Sequence, residues 1–183
     1  DDAQYKIQDE IYLVTLDPAI HSHGYDKRKH RLIASQIEYM HTTRYQGLVD
    51  EAGWLHRSVM DHLLKLIAEG PTMIFAVHAT VAEATSYTFH QHNIKHSLVT
   101  GKTSKQEKDL ILRQFLQGEV DVLIGTATLA TGTDGMDKVC DTLIILDDTD
   151  DDALRRQLIG RILPRGASTS SAQKKIFRMI PVL

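Results

Sequence analysis

Three short, almost wholly apolar runs constrain this chain more than any other feature: TMIFAV at residues 72–77, DVLI at 121–124 and TLIIL at 142–146. A strand with one wet face alternates apolar and polar residues, so continuous runs suit strands covered on both faces, as in the centre of a parallel sheet. Parallel neighbours cannot be joined by a tight turn and need crossovers of a dozen or more residues, usually helical. The sequence between the runs has that character.

Residues 52–69 place Leu55, Val59 and Leu63 on one helical face, with Leu66 and Ile67 beside it, and Gly70-Pro71 ends the pattern. Thr80-x-x-Glu83 reads as a capping box that opens a helix to about Gln91, and Ser104-x-x-Glu107 reads as another. After Ser104, Ile111/Phe115 and Leu112/Leu116 are i,i+4 pairs on one stripe that Gly118 closes. Further strands are expected at 95–99 and 174–180, and at 11–16, where IYLVTL is stopped by Asp17-Pro18. Residues 26–44 are charged and helix-compatible. Their KRKHR run at 27–31 reads as a solvated helix start, because five adjacent positions cannot share one face.

Strands separated by single helices require right-handed crossovers, so the expected class is α/β: three layers, with helices on both sides of a mostly parallel sheet. Residues 1–183 are read as one domain, comprising a leading strand and loop (1–24), N-terminal helices (25–70) and a core from 71 to 183. A chain of 183 residues can bury roughly 70% of its unfolded surface. With 42% hydrophobic and 25% charged residues, and apolar runs too short to span a bilayer, the composition fits neither disorder nor a membrane segment. One cysteine, Cys140, and no leader-like start before Tyr5 point to a reducing, cytoplasmic setting. The net charge of −3 makes any nucleic-acid contact a local one. The chain opens without methionine and stops straight after a strand-like run, which reads as a piece of a longer polypeptide.

In such sheets ligands gather beyond the carboxyl ends of the strands, here His78-Ala79, Thr100-Gly101, Gly125-Thr126 and Asp147-Asp148. Several features there are decoys. Gly101-Lys102-Thr103 resembles the end of a phosphate-binding loop, but the motif needs glycine where His96 stands. Asp150, Asp151 and Asp152 fit the first turn of a helix, where carboxylates complement the macrodipole, better than a metal or nucleophile role. The histidines lack the cysteine partners or His-Glu-x-x-His spacing of a zinc site, so no metal site is expected. Cys140 precedes a strand, as a small buried thiol does.

One constellation survives. After Asp152, Leu154, Leu158 and Ile162 should bury one side of a helix, while Gln157 and Arg161 share another. Gly160 reads as a point of close approach. Pro164 should swing Arg165-Gly166 out of the helical path. Permanently charged, planar guanidiniums at a helix end suit paired hydrogen bonds to phosphate oxygens.

These residues carry a resemblance. Gln157-x-x-Gly160-Arg161 looks like motif VI of superfamily 2 helicases, and Gly125-Thr126 through Thr131-Gly132-Thr133-Asp134 resembles their motif V. Residues 72–79 with the helix that follows are similar to the motif IV region. The order matches the second RecA-like domain of that family over residues 72–166. The resemblance implies that Thr126 contacts a phosphate of a bound strand, with His78 and Lys102 beside it. It further implies that Gly132 and Asp134 meet the nucleotide, and that Gln157, Arg161 and Arg165 face the ATP phosphates. The family's second motif VI arginine stands where this chain has Pro164, so either Arg165 fills that role one place late or the finger is single.

The chain has no phosphate-binding loop or Asp-Glu box of its own. The resemblance therefore implies an ATP and Mg2+ site shared with a first RecA-like domain that carries the metal ligands, and a fragment inactive alone. The expected function is the second motor domain of an ATP-dependent DNA helicase or translocase, closest in feel to phage or bacterial enzymes, working in the bacterial cytoplasm or an infected host. An RNA helicase and the translocating subunit of a restriction enzyme stay open, as does a stand-alone α/β module that binds a phosphorylated ligand.

Overall fold

In a computed structural model, residues 7–15, 54–55, 57–131, 135–147, 152–162 and 174–182 are described. In chain order they form β1 (Ile7–Thr15), α1 (Arg57–Ile67), β2 (Thr72–Ala76), α2 (Ala79–Gln91), β3 (Ser97–Val99), α3 (Lys105–Leu116) and β4 (Val122–Gly125). Two 3-10 turns (Ala127–Ala130 and Met136–Lys138) then lead to β5 (Thr142–Asp147), α4 (Asp152–Ile162) and β6 (Lys174–Val182). The strands make one six-stranded sheet in the order β1-β6-β5-β2-β4-β3. Every pairing among them is parallel.

The apolar runs occupy the middle of this sheet because both their faces are covered. On one side Ile74, Ala76, Val122, Ile124, Ile144 and Leu146 meet Val59, Leu63 and Leu66 of α1 and Val81, Ala82 and Phe89 of α2. On the other, Met73, Phe75, Leu123, Leu143 and Ile145 meet Leu112 and Phe115 of α3, Leu129 of the first 3-10 turn, and Leu158 and Ile162 of α4. Register puts like positions in one layer: Ile74 lies opposite both Ile124 and Ile144. The result is the expected three-layer α/β/α arrangement.

Helix ends differ from expectation in instructive ways. Ser104 caps α3, its hydroxyl accepting from the Glu107 N–H at 3.2 Å. The α3 C-terminus closes with Glu119 N–H on Gln114 O and Gly118 N–H on Phe115 O, and Gly118 takes φ 78°. Asn93 performs the same closure for α2 at φ 57°, with Ile94 N–H on Phe89 O. The Thr80 capping box is not made. The helix starts two residues earlier, at Ala79, with His78 at the cap position making no side-chain cap bond, and Thr80 is already inside the first turn. Likewise α1 begins at Arg57; buried Leu55 lies ahead of it and donates its N–H to Thr88 Oγ1 at 3.1 Å. The β3 strand is shorter than 95–99 because His96 turns aside, with its ring nitrogens bonded to Ser86 Oγ and Ile94 O, both at 2.7 Å. The charged stretch at 26–44 lies outside the described residues.

Candidate functional site at the carboxyl edge

The chain runs from β4 on one side of β2 to β5 on the other, so the connection from 126 to 141 crosses the point where strand order reverses. In open α/β sheets that crevice is where ligands bind. Thr126 opens the connection. Its N–H donates to Val99 O at 3.2 Å, its carbonyl accepts from Leu129 N–H at 2.9 Å, and it is 8% exposed. The following 3-10 turn lies tight against Gly125, where an added Cβ would sit 2.5 Å from Leu129 Cγ. A side chain at 125 would therefore push buried Leu129 out of the core.

Arg161 approaches this turn from α4. Its Nε donates to Ala130 O at 2.8 Å, and a terminal nitrogen of the same guanidinium donates to the same carbonyl. Leu158 and Ile162 are fully buried, with Leu154 packed partly against the same cluster, and Arg161 flanks this buried stripe, which brings its side chain to the turn. Gln157, one turn earlier, is exposed. Gly160 does not mark a close approach: an added Cβ would meet nothing within 4 Å.

Two further sequence-derived residues lie along the same edge. His78 is half-buried beyond β2, and its carbonyl accepts from the Val81 and Ala82 N–H groups. Lys102 is exposed at the tip of a closed polar turn after β3, in which Thr100 N–H donates to Thr103 Oγ1 at 2.9 Å and Lys102 N–H to Thr100 Oγ1 at 3.2 Å. That turn is the polar strand-to-helix loop read from the sequence. Gly132, Asp134 and Arg165 lie outside the described residues, as do Asp150 and Asp151. Cys140 is buried, with its Sγ 3.1 Å from Thr142 O.

One participant escaped sequence reasoning. Lys108, on α3, reaches across to Thr128 O at 2.8 Å and Thr131 O at 3.1 Å. Its partners lie 20 and 23 residues downstream, so no local spacing could have signalled it. Among the described residues no group of three His, Cys, Asp or Glu side chains could hold a metal ion, and no helix is long and apolar enough to cross a membrane.

A parallel, doubly covered sheet with an arginine helix and a turn meeting at its switch point is the architecture of a RecA-like domain. The sequence profile of the helicase conserved C-terminal domain matches residues 57–166, and the chain belongs to that family. Among solved structures it is similar to the C-terminal part of the Fun30 ATPase domain, at 18% identity and TM-score 0.60, covering 87% of this chain and 52% of that one. It is also similar to S. cerevisiae Dbp5 bound to RNA and ADP BeF3, at 17% identity and TM-score 0.60, covering 98% and 36%. A DEAD box protein from the hyperthermophile Methanococcus jannaschii matches at 17% identity and TM-score 0.53, covering 67% and 32%. At these identities the likeness is one of fold, and the chain spans about half or less of each of these structures. A comparison with curated proteins gave no match.

Proposed function

We propose that this chain is the second motor domain of an ATP-dependent DNA helicase or translocase, and that Arg161 is its arginine finger. The observation that carries this reading is the junction of Arg161 with the turn after β4 at Ala130 O, on the edge of the sheet where phosphates are expected. A guanidinium held there by one carbonyl is oriented in advance, and charge stabilisation by such a group acts on the transferring phosphoryl without covalent chemistry. Arg161 and Gln157 would face ATP phosphates in a cleft shared with a first RecA-like domain of the same polypeptide. The Mg2+ ligands would belong to that domain, as the motif resemblance implies. Gly132, Asp134 and Arg165 join the nucleotide side of this proposal on the strength of their motifs alone.

The nucleic-acid track would run over the ends of β2, β3 and β4, with exposed Lys102 and half-buried His78 as backbone contacts that ignore base sequence. Thr126, 8% exposed, would contribute there chiefly through the turn it opens. RNA is a second reading, favoured by the Dbp5 structure of the same fold bound to RNA and ADP BeF3.

The test uses the full-length protein. Arg161→Ala should abolish ATP hydrolysis with folding retained, and hydrolysis should rise on adding single-stranded DNA more than on adding RNA of the same length. Retained turnover in the variant would refute the finger, and a preference for RNA would replace the substrate.

A further inference from the structure

We infer that Lys108 is a positioning residue for the turn after β4, holding it from α3 while Arg161 holds it from α4. This inference rests on the proposed function, because it assigns the turn a part in coupling nucleic acid to the ATP site.

The turn from Ala127 to Ala130 is a single loop of 3-10 helix whose last carbonyls have no continuing helix to receive. Two cations from two separate helices take them. Lys108 Nζ donates to Thr128 O at 2.8 Å and to Thr131 O at 3.1 Å, and Arg161 donates to Ala130 O between them. A charge-assisted bond is about twice as strong as a neutral one, and the carbonyl end of a helical turn carries the negative end of its dipole. The ends of the turn are closed by Leu129 N–H on Thr126 O at 2.9 Å and Thr131 N–H on Thr128 O at 3.4 Å. Thr128 Oγ1 is buried without a partner, so this residue is anchored through its carbonyl and not its hydroxyl. Leu129 fixes the depth of the turn by packing on Gly125. Its lateral position is set by the two cations.

The consequence is a mechanical one. Thr126 opens the turn at the β4 end and Arg161 meets it at Ala130, so a shift of the turn would change how the proposed nucleic-acid side stands against the proposed finger. Lys108 acts through the turn's backbone. Its loss leaves two carbonyls without their cation and lets the turn move relative to Arg161.

The experiment compares Lys108→Met, Lys108→Arg and Lys105→Met in the full-length protein. Lys105 is an exposed lysine that opens the same helix and makes no bond to the turn, so it controls for the loss of charge. The first readout is hydrogen exchange of the amides over residues 126–131. Exchange should rise about tenfold in Lys108→Met, the scale of a lost hydrogen bond to a charged group, and stay near wild type in the other two. The second readout is the ratio of DNA-stimulated to basal ATP hydrolysis, which should fall about tenfold in Lys108→Met and be largely rescued by arginine, which keeps two donors. Unchanged exchange in Lys108→Met would overturn the inference even in a protein that hydrolyses no ATP. An equal fall of stimulation in Lys105→Met would also overturn it. Exchange raised in Lys108→Met alone, in a protein whose wild type shows no DNA-stimulated hydrolysis, would sink the proposed function while leaving the positioning role standing.

Discussion

Arg161 directs two of its nitrogens at one backbone oxygen, which fixes the guanidinium plane and leaves the residue half-buried. If that geometry serves phosphoryl transfer, Arg161→Lys should be nearly as damaging as Arg161→Ala, because a lysine keeps the charge but loses the planar fork. We expect hydrolysis by the full-length protein to fall by about 10³-fold or more in both, measured as steady-state kcat. Gly125 makes a different prediction. A methyl group there would collide with Leu129, which is fully buried, so Gly125→Ala should destabilise the domain by about 1–3 kcal/mol in urea unfolding. A stability unchanged within error would mean that the turn can rise away from β4 at no cost.

The elements were legible where local rules decide them. The runs at 72–77, 121–124 and 142–146 became β2, β4 and β5, as two-sided burial requires. Leu158 and Ile162 are buried where helical spacing put them. Local rules failed at two helix starts. The Thr80 box lost to an earlier start at Ala79, and the reading of Leu55 as helical lost to its bond with Thr88 in another helix. The two caps can be compared directly. Ser104→Ala should cost about 0.5–2 kcal/mol, since the Ser104 hydroxyl holds the Glu107 N–H. Thr80→Ala, exposed within the first turn of its helix, should stay within about 0.5 kcal/mol. Paired urea melts of the two variants would separate a made cap from an apparent one, and equal losses would contradict the observed N-terminus of α2.

At the scale of the whole molecule, the proposed function makes this site one wall of a cleft shared with a first RecA-like domain. The residues brought to the carboxyl edge include a guanidinium and two outlying basic side chains. This part of the reading was accessible from sequence only through motif resemblance, because composition and periodicity say nothing about a cleft whose other wall would lie in another domain. Lys108 was invisible for a related reason: its role exists only once α3 and the turn after β4 are folded against one sheet face. A single arginine contact of the kind offered here cannot bind a nucleotide tightly, since association alone costs several kcal/mol before any net affinity appears. The isolated chain should therefore show no measurable ATP hydrolysis and no saturable binding of a non-hydrolysable ATP analogue up to about 1 mM, which corresponds to only about 4 kcal/mol of binding free energy. Adding the first RecA-like domain in trans should restore nucleotide binding at the shared cleft, and Arg161→Ala in the added mixture should remove hydrolysis while leaving the two chains folded. Micromolar binding by the chain alone, seen by calorimetry, would instead favour a self-sufficient phosphate-ligand module and would move the working site from the domain cleft to the edge of this sheet.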